Sequence, residues 1–369
     1  MNASYIFAAF FGIFACAVQN VSCKRASGFE KIEKGPKRVL FVGHPMIDVY
    51  ASVDYETVET LNIAKGESQG ITPETFKKLG DLVTIQARNA GGSACNTARA
   101  FGYLGGKVSF YGRVGEDDEA TLFSETLVNY GVEDLTLRVP GKFTSQLYSL
   151  VTPDADSTMY LLFGASHTMT RDDLDESIMD NYDYYVVNGF MFADEEQVAL
   201  THKMVEAAIN RGKGVVTLFA NSFCIRRNGQ YLKPIAEVSS YIAGNLEEYS
   251  ALYETSDREE LFRMFEERTA GLYPQHKLVI ITMGKEGAML VYKGKRYHVP
   301  PCNVDVVDTT GAGDFFAGSV LYAAMNGYSM KKGGKFAHAL VGDVISRMGI
   351  SIREETRPVI EEIKECLSL

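Results

Sequence analysis

Cysteine is scarce in this 369-residue sequence, and no Cys-x-x-Cys pair occurs. The six cysteines therefore indicate neither a zinc site nor a disulfide framework, and we expect reduced thiols at the four beyond residue 30. A basic tract is also absent, and the formal net charge is −10, which disfavours nucleic-acid binding. The chain has no internal repeats and no low-complexity segments. With 46% hydrophobic and 23% charged residues, its composition is that of a globular protein with a substantial core.

The first 36 residues differ from the rest of the chain. Residues 1–23 carry no charged side chain, and 5–18 are largely apolar, as in a secretory signal peptide without a basic first region. This run is short for a membrane span of about 20 residues, so an uncleaved anchor is the alternative. Basic residues then predominate in 24–38, as in an organelle-targeting segment or a flexible linker. We expect residues 1–36 to be a leader that directs the chain to the secretory route or to an organelle. If these residues do not target the chain, we expect a cytoplasmic protein.

The stretch that organises the rest of the chain is 307–318, where a β-rich run gives way to an apolar helical pattern. Gly311, Ala312 and Gly313 place backbone N–H groups at a predicted helix start, which attracts an anion such as a phosphate. Asp314 follows, where a carboxylate can take a proton from a hydroxyl that attacks a phosphate. A tight turn with an Asp N-cap is the plainer interpretation of Gly-Ala-Gly alone.

A second informative stretch is Asn-Ala-Gly-Gly-Ser-Ala-Cys-Asn-Thr-Ala at 89–98. Its glycines, Gly91 and Gly92, permit a close backbone approach, and Asn96 lies near a helix start. Taken alone, this pattern is also that of a loop and a helix cap. Together with Asp-Thr-Thr-Gly-Ala-Gly-Asp at 308–314, it resembles the two signatures of the PfkB (ribokinase-like) family of sugar and nucleoside kinases. The first signature is similar to the form seen in the adenosine-kinase-like branch.

The resemblance implies an α/β fold of the ribokinase-like type, with three α/β/α layers, a mostly parallel central sheet and a small β-sheet lid. Strand and helix patterns alternate from 184 to 282, which independently indicates a parallel sheet. We predict strands at 38–43, 184–188, 214–219, 241–243 and 277–282, and helices at 194–210, 228–238 and 246–269. In one domain at 37–369, the lid is expected from about 49–90 and 143–163. It would include a strand at 83–88 and a hairpin at 145–151 and 157–163.

The resemblance also implies which residues bind the acceptor. Asp48, at the end of a predicted loop at 44–48, matches the family's Asp that binds hydroxyls of a sugar or ribose. An Asp after a strand is, however, often only a turn or cap residue. Gly91, Gly92 and Asn96 are expected to contact the same hydroxyls. A lid aromatic, Phe163 or Tyr148, would stack on a purine base.

Further motifs resemble the family's nucleotide site. Asn245-Leu-Glu-Glu248 matches an Asn-x-x-Glu motif that orders Mg²⁺ and its waters, so Asn245 and Glu248 are expected to act on the metal through water. The same pattern is ordinary helix-start chemistry. A monovalent cation such as K⁺ beside Asp308 and Thr310 is a family option. The expected ATP-binding residues are Asn245, Thr282, Gly284, Gly287, Thr310 and His338, although a lone His on an amphipathic helix more often serves packing.

These features predict an ATP- and Mg²⁺-dependent kinase that phosphorylates a primary hydroxyl of a small molecule, with Asp314 as base. The favoured acceptor is the 5′-hydroxyl of adenosine, giving AMP; a sugar, as in ribokinases or fructokinases, is the alternative. At position 221 this sequence has Asn, whereas relatives often carry Asp. A non-catalytic binding scaffold is a third interpretation. A dehydrogenase is disfavoured, since no Gly-x-Gly-x-x-Gly follows the first strand. We expect a monomer or homodimer without stable membrane contact.

Overall fold

The computed structural model describes residues 37–60, 68–154, 157–271 and 275–366; the predicted leader therefore lies outside the described residues. The described strands are β1 Arg38–Val42, β2 Met46–Ser52, β3 Ser68–Gly70, β4 Ile85–Gly91, β5 Lys107–Tyr111, β6 Arg113–Val114, β7 Val132–Asp134, β8 Leu137–Arg138, β9 Ser145–Val151, β10 Ser157–Leu162, β11 Tyr184–Asn188, β12 Gly214–Leu218, β13 Tyr241–Asn245, β14 Leu278–Thr282, β15 Ala288–Tyr292 and β16 Lys295–Val299. The described helices are α1 Tyr55–Thr60, α2 Pro73–Leu82, α3 Ser93–Tyr103, α4 Asp118–Asn129, α5 Glu195–Asn210, α6 Ser222–Val238, α7 Leu246–Tyr253, α8 Arg258–Thr269, α9 Ala312–Met325, α10 Met330–Ile345 and α11 Thr356–Glu365.

The main sheet has nine strands in the order β16-β15-β14-β13-β12-β11-β1-β5-β7. Its neighbours pair in parallel except at β14–β15 and β15–β16, which are antiparallel. Successive side chains of a strand point to opposite faces, and β1 shows the consequence. Val39 and Phe41 join the hydrophobic core on one face, whereas Leu40 and Val42 join the core on the other. Helices cover both faces, so the predicted three-layer α/β/α fold with a mostly parallel sheet is confirmed.

A second sheet of five strands, in the order β3-β10-β9-β2-β4, packs beside the first. The predicted hairpin is present, since β9 and β10 pair antiparallel. Only residues 43–45 connect β1 of the main sheet to β2 of the second sheet. This connection is tightly packed: a Cβ on Gly43 would lie 2.6 Å from that of Ala94, and one on Gly112 would lie 2.6 Å from Pro45.

Several predicted element bounds were wrong. Asp48 lies in β2 and not in a loop. The strand did not stand out in the sequence because Met46 to Ala51 are buried on both faces and therefore show no alternating pattern. The helix predicted at 228–238 begins at Ser222, since the Asn221 side chain caps it by accepting from the Cys224 N–H at 2.7 Å. The predicted strand 83–88 is instead Ile85–Gly91.

The single helix predicted at 246–269 is two helices. The first ends where Glu254 adopts a left-handed conformation, with φ of 56°. Asp257 then starts the second, and its side chain accepts from the N–H groups of Glu259 and Glu260. Within the described part of the chain, none of the helices is long and apolar enough to cross a membrane.

Candidate active site

The start of α9 carries the predicted catalytic stretch. Gly311 has φ of 74°, and a Cβ there would lie 2.7 Å from Ile350 Cδ1, so the position favours glycine on both counts. The Ala312 N–H donates to the Thr309 carbonyl at 3.1 Å. By contrast, the N–H groups of Gly313 and Asp314 have no acceptor among the described residues. The helix start therefore presents unpaired donors, but the Ala312 N–H is engaged in the turn.

Asp314 is partly buried in the first turn of α9. The Ser93 hydroxyl donates to its Oδ1 at 2.6 Å, and the Asn96 amide donates to its Oδ2 at 3.3 Å. Burial raises the pKa of Asp314 from 3.8 to about 6, and the two hydrogen bonds oppose that shift. Asp314 is thus a carboxylate that is ionised at neutral pH but more basic than an ordinary aspartate, which suits a general base.

A cavity of about 180 Å³ opens beside Asp314. Its lining includes six of the residues predicted from the sequence, drawn from three separate parts of the chain: Asn245, Glu248, Thr282, Gly311, Gly313 and Asp314. The C-terminal ends of β13 and β14 supply two of these, Asn245 and Thr282, as expected at the carboxyl edge of a parallel sheet. The structure therefore assembles most of the predicted catalytic and nucleotide residues around one space.

Asn245 and Glu248 face this cavity as a capping box at the start of α7. The Glu248 N–H donates to Asn245 Oδ1, the Asn245 N–H to Glu248 Oε2, and Asn245 Nδ2 to Glu248 Oε1, each at 2.8 Å. Burial, with smaller contributions from the charges of Asp314 and Glu247, raises the pKa of Glu248 to about 7. The helix-start chemistry that was the plainer interpretation is present, and the same carboxylate also lines the cavity.

Three of the remaining predicted nucleotide residues, Gly284, Gly287 and Thr310, lie in two turns. The β14–β15 turn needs glycine, since Gly284 has φ of 55° and Gly287 has φ of 84°. In the second turn, Thr310 donates to Asp308 Oδ1 through its N–H at 2.9 Å and its hydroxyl at 2.7 Å. Asp308 is buried, and its Oδ2 has no hydrogen-bond partner among the described residues.

The predicted acceptor residues lie on the other side of Asp314, where the second sheet meets α3. Asp48 is buried, its Oδ2 accepts from Tyr50 at 3.3 Å, and its Oδ1 has no partner among the described residues. Burial raises the pKa of Asp48 to about 7. A Cβ on Gly91 would overlap the Asp48 carboxyl group, and one on Gly92, with φ of 93°, would overlap the His44 carbonyl. Both glycines are therefore required for the backbone to approach as closely as it does.

The two aromatic candidates of the lid differ in exposure. Tyr148 is 3% exposed, and its ring centroid lies 4.5 Å from that of Phe76 on α2, so it belongs to the core beneath that helix. Phe163 is 48% exposed and lies against His167, with ring centroids 4.1 Å apart. Of this pair, only Phe163 is exposed enough to meet a ligand.

Residues 39–357 match the family model described as pfkB family carbohydrate kinase. The chain belongs to the PfkB family. It is therefore a carbohydrate or nucleoside kinase, and kinases of this family use ATP.

Curated PfkB relatives include sugar kinases. The 5-dehydro-2-deoxygluconokinase of Clostridium perfringens is 25% identical over 292 residues, which cover 74% of this chain and 82% of the relative. The bifunctional protein HldE of Shewanella baltica is 25% identical over 327 residues, 85% of this chain but only 61% of that protein.

Solved structures of similar fold include nucleoside and sugar kinases. An adenosine kinase from Sinorhizobium meliloti superposes with a TM-score of 0.79 at 24% identity and covers 89% of this chain and 99% of its own. A probable sugar kinase from Rhizobium etli superposes with the same TM-score at 25% identity and the same coverage. A putative ribokinase II from E. coli, solved with ATP and Mg²⁺, gives a TM-score of 0.72 at 17% identity, covering 89% of this chain and 99% of its own.

One predicted PfkB residue, His338, lies away from the cavity beside Asp314. It lines a different cavity of about 470 Å³ along α10, together with Val304 and Gly342. Its Nε2 lies 2.5 Å from the Pro300 carbonyl and donates to it. The cavity that contains Asp314 does not include this histidine.

Sequence reasoning missed two polar side chains next to the PfkB aspartate. Ser93 donates directly to Asp314, and Asn188 Nδ2 in turn donates to Ser93 Oγ at 3.1 Å. Ser93 lies within the Gly-Gly-Ser motif, and Asn188 ends the buried strand β11. Its position at a strand's carboxyl end was the available signal for Asn188.

Proposed function

We propose that this chain transfers the γ-phosphoryl group of ATP to a primary hydroxyl, with Asp314 as the general base. The observation that carries the proposal is the setting of Asp314 between two groups of residues. On one side is the cavity with Asn245, Glu248 and the N–H of Gly313, which has no acceptor in the part of the chain that the structure describes. On the other are Asn96 and the acceptor-binding candidates of the second sheet.

Asp314 is ionised above a pH of about 6 and takes the proton of the acceptor hydroxyl as that oxygen attacks the γ-phosphorus. A positioned base of this kind contributes about 10²–10⁴-fold in rate. Charge that develops on the transferred group is stabilised by backbone donors at the start of α9, where the helix dipole is positive. We propose the N–H groups of Gly311, Ala312 and Gly313 as these donors. The Ala312 N–H must first break its hydrogen bond to the Thr309 carbonyl before it can donate to the transferred group.

The residues beside the cavity fit Mg²⁺ held through water. Glu248 is a buried carboxylate that lines the cavity, and Asn245 holds its oxygens in place. Mg²⁺ commonly keeps several waters, so a single carboxylate with an amide is a suitable set. When bound, Mg²⁺ neutralises charge on the β- and γ-phosphates.

For the rest of the ATP site, we propose four nucleotide contacts: Thr282, Gly284, Gly287 and Thr310. We also propose that His338 contacts the adenine ring of ATP from its own cavity. The buried Oδ2 of Asp308, which has no partner among the described residues, fits a monovalent cation, since a carboxylate oxygen without a hydrogen-bond donor is satisfied by a positive ion.

The second sheet is proposed as a lid that contacts the acceptor. Register places its relevant residues at one end: Ile47 pairs with Gln146, which pairs with Leu162, the residue before Phe163. Phe163 and Asp48 therefore lie toward the same end of this sheet. An exposed aromatic there suits a purine base, while Asp48 and Asn96 suit ribose hydroxyls, so adenosine is the favoured acceptor.

A sugar is the alternative acceptor. The similarity to a 5-dehydro-2-deoxygluconokinase favours it, as do the polar side chains of Asp48, Asn96 and Asn188 near Asp314. In that case, Phe163 would cover the sugar without stacking on a base.

The test is a coupled assay of ADP release by the full chain with ATP and Mg²⁺, against adenosine, other nucleosides and a panel of sugars. Turnover with adenosine alone supports the favoured acceptor, and turnover with a sugar alone replaces it. Absence of turnover with every acceptor, together with tight binding of one of them, would favour a non-catalytic scaffold instead.

Residues 1–36 are proposed as a targeting leader. Fusion of these residues to a fluorescent reporter tests the proposal. Signal in an organelle or the secretory route supports it, and diffuse cytosolic signal overturns it.

A further inference from the structure

Arg99 is a charged side chain in the interior of the molecule. It lies on α3, three residues after Asn96, and is 1% exposed. The residues that the structure describes offer it no carboxylate within ion-pair distance. Burying a charge is unfavourable unless it is compensated, and a protein with an apolar side chain of similar volume at such a position is often no less stable. A role beyond packing would account for an arginine at this position.

Three oxygen atoms hold the guanidinium group. Nη1 donates to the Ala90 carbonyl at 2.8 Å and to Asn96 Oδ1 at 3.1 Å, and Nη2 donates to the Ile350 carbonyl at 2.7 Å. The Tyr130 ring covers one face, with its centroid 4.3 Å from the guanidinium carbon. The group is therefore fixed both in its plane and across it, between the second sheet, α3 and the loop after α10.

The contact with Asn96 decides which way that amide faces. A guanidinium group only donates, so the side-chain atom of Asn96 that meets it must be the oxygen. The amide nitrogen then faces Asp314 Oδ2, 3.3 Å away. If the Asn96 amide were reversed, its oxygen would face the Asp314 carboxylate. That carboxylate would then lose the Asn96 donor and keep only Ser93 as a side-chain donor from α3.

We propose that Arg99 is a positioning residue for phosphoryl transfer, which holds the Asn96 amide so that its nitrogen donates to the catalytic carboxylate of Asp314. This inference rests on the proposed function of Asp314. Other titratable groups also face Asp314: Asp48 on β2, Cys95 on α3 and Glu248 on α7. Because the positive charge of Arg99 also lowers the pKa of Asp48 and of Cys95, the Arg99–Asn96 contact is isolated by comparing Arg99→Met with Arg99→Lys and Asn96→Ala, which keep that charge.

The test measures Asp314 directly, without substrate. In full-length protein with ¹³C-labelled aspartate carboxyl groups, NMR titration gives the pKa of Asp314, and the Asp314→Asn variant assigns the signal. The variants are Arg99→Met, which keeps volume without donors, Arg99→Lys, which keeps the charge without the planar fork, Asn96→Ala, and the double variant Arg99→Met/Asn96→Ala.

We expect the pKa of Asp314 to rise from about 6 by roughly half to one unit in Arg99→Met and in Asn96→Ala, because a donor to the charged form is lost. The double variant should show no further rise. Arg99→Lys should also raise it, since an ammonium group cannot reproduce the fork that spans three oxygens. At pH 7, a rise of that size leaves at least about half of the carboxyl ionised, so kcat should fall by up to about twofold in Arg99→Met, with KM for ATP nearly unchanged.

Three results would overturn the inference: an unchanged Asp314 pKa in both Arg99 variants, a rise in Arg99→Met but not in Arg99→Lys, or additive rises in the double variant. The second would show that only the charge matters, and the third that Arg99 acts independently of Asn96. If wild-type protein turns over no acceptor, the proposed function fails, while the titration still decides the Arg99–Asn96 contact.

Discussion

Asp314→Asn keeps the size of the side chain and removes its charge and basicity. The Ser93 hydroxyl can rotate to match the new amide, so the local geometry should survive. Loss of the base predicts a fall in kcat of about 10²–10⁴-fold, with ATP binding largely retained. In the wild type, the same carboxyl should impose an acidic limb on the rate profile: below a pH of about 6, kcat falls toward tenfold per pH unit.

The same substitution has a predictable effect on stability. Burial raises the folded-state pKa of Asp314 from 3.8 to about 6, which corresponds to about 3 kcal/mol at roughly 1.4 kcal/mol per pKa unit. Since the carboxylate is only partly buried, we take about 1–2 kcal/mol. A raised folded-state pKa contributes stability that is complete below pH 3.8 and is lost as the pH rises through about 6. Asparagine lacks this loss, so the variant should be more stable than wild type by about 1–2 kcal/mol at pH 8, with a smaller difference at pH 5.

Urea unfolding at both pH values, beside the ADP-release assay, measures the two effects on one preparation. The matched control is Asp81→Asn on the exposed side of α2, which should change neither rate nor stability. Near-normal turnover by Asp314→Asn would refute its role as base. A variant that is inactive and also less stable than wild type at pH 8 would refute the electrostatic account of its setting.

Other substitutions test the acceptor and metal residues. Gly91→Ala should displace the Asp48 carboxyl group, raising KM for the acceptor at least about tenfold and lowering the free energy of unfolding by about 1–3 kcal/mol. The control is Gly229→Ala, whose Cβ would meet Leu252 only at 3.7 Å, and its effect on stability should be neutral or favourable. Glu248→Gln should raise the Mg²⁺ concentration for half-maximal turnover about tenfold. Wild-type protein should show the same weakening of Mg²⁺ binding as the pH falls below about 7, because Glu248 becomes protonated. Equal Mg²⁺ dependence of the variant and the wild type would contradict this role of Glu248. Phe163→Ala should raise KM for adenosine about tenfold, consistent with base stacking worth about 1–3 kcal/mol, and leave sugar turnover unchanged; the reverse pattern would favour a sugar acceptor.

The parts of the fold and site that sequence predicted are those encoded locally. The alternation of strands and helices from 184 to 282 predicted four of the nine strands of the main sheet, β11 to β14, and the contiguous stretch around Asp314 coincides with the start of α9. Asp48 was assigned to a loop because Pro45 precedes it and because a strand buried on both faces has no alternating pattern. Burial on both faces is a property of the folded molecule, so periodicity does not show it.

The residues that sequence reasoning missed act through contacts distant in the chain. Ser93 and Asn188 are 95 residues apart, yet both belong to the hydrogen bonds around Asp314. Arg99 lies between two alanines in a helix pattern, where a charged residue suggests a solvated face. It is buried because α3 is buried from Ala94 to Tyr103, enclosed by packing that only the tertiary structure defines.

The short connection between the two sheets determines how the second sheet can move. Residues 43–45 are packed against Ala94 and Gly112, so this end of β2 acts as a fixed pivot. Asp48 lies three residues beyond the pivot, about 10 Å along the strand, whereas Ser52 is about twice as far. A rotation would therefore swing the far end, where Ser52 pairs with Val151, through a wide arc while Asp48 shifts little. In the proposed kinase, such a rotation would open the second sheet to an acceptor while the end that carries Asp48 stays nearly in register with Asp314.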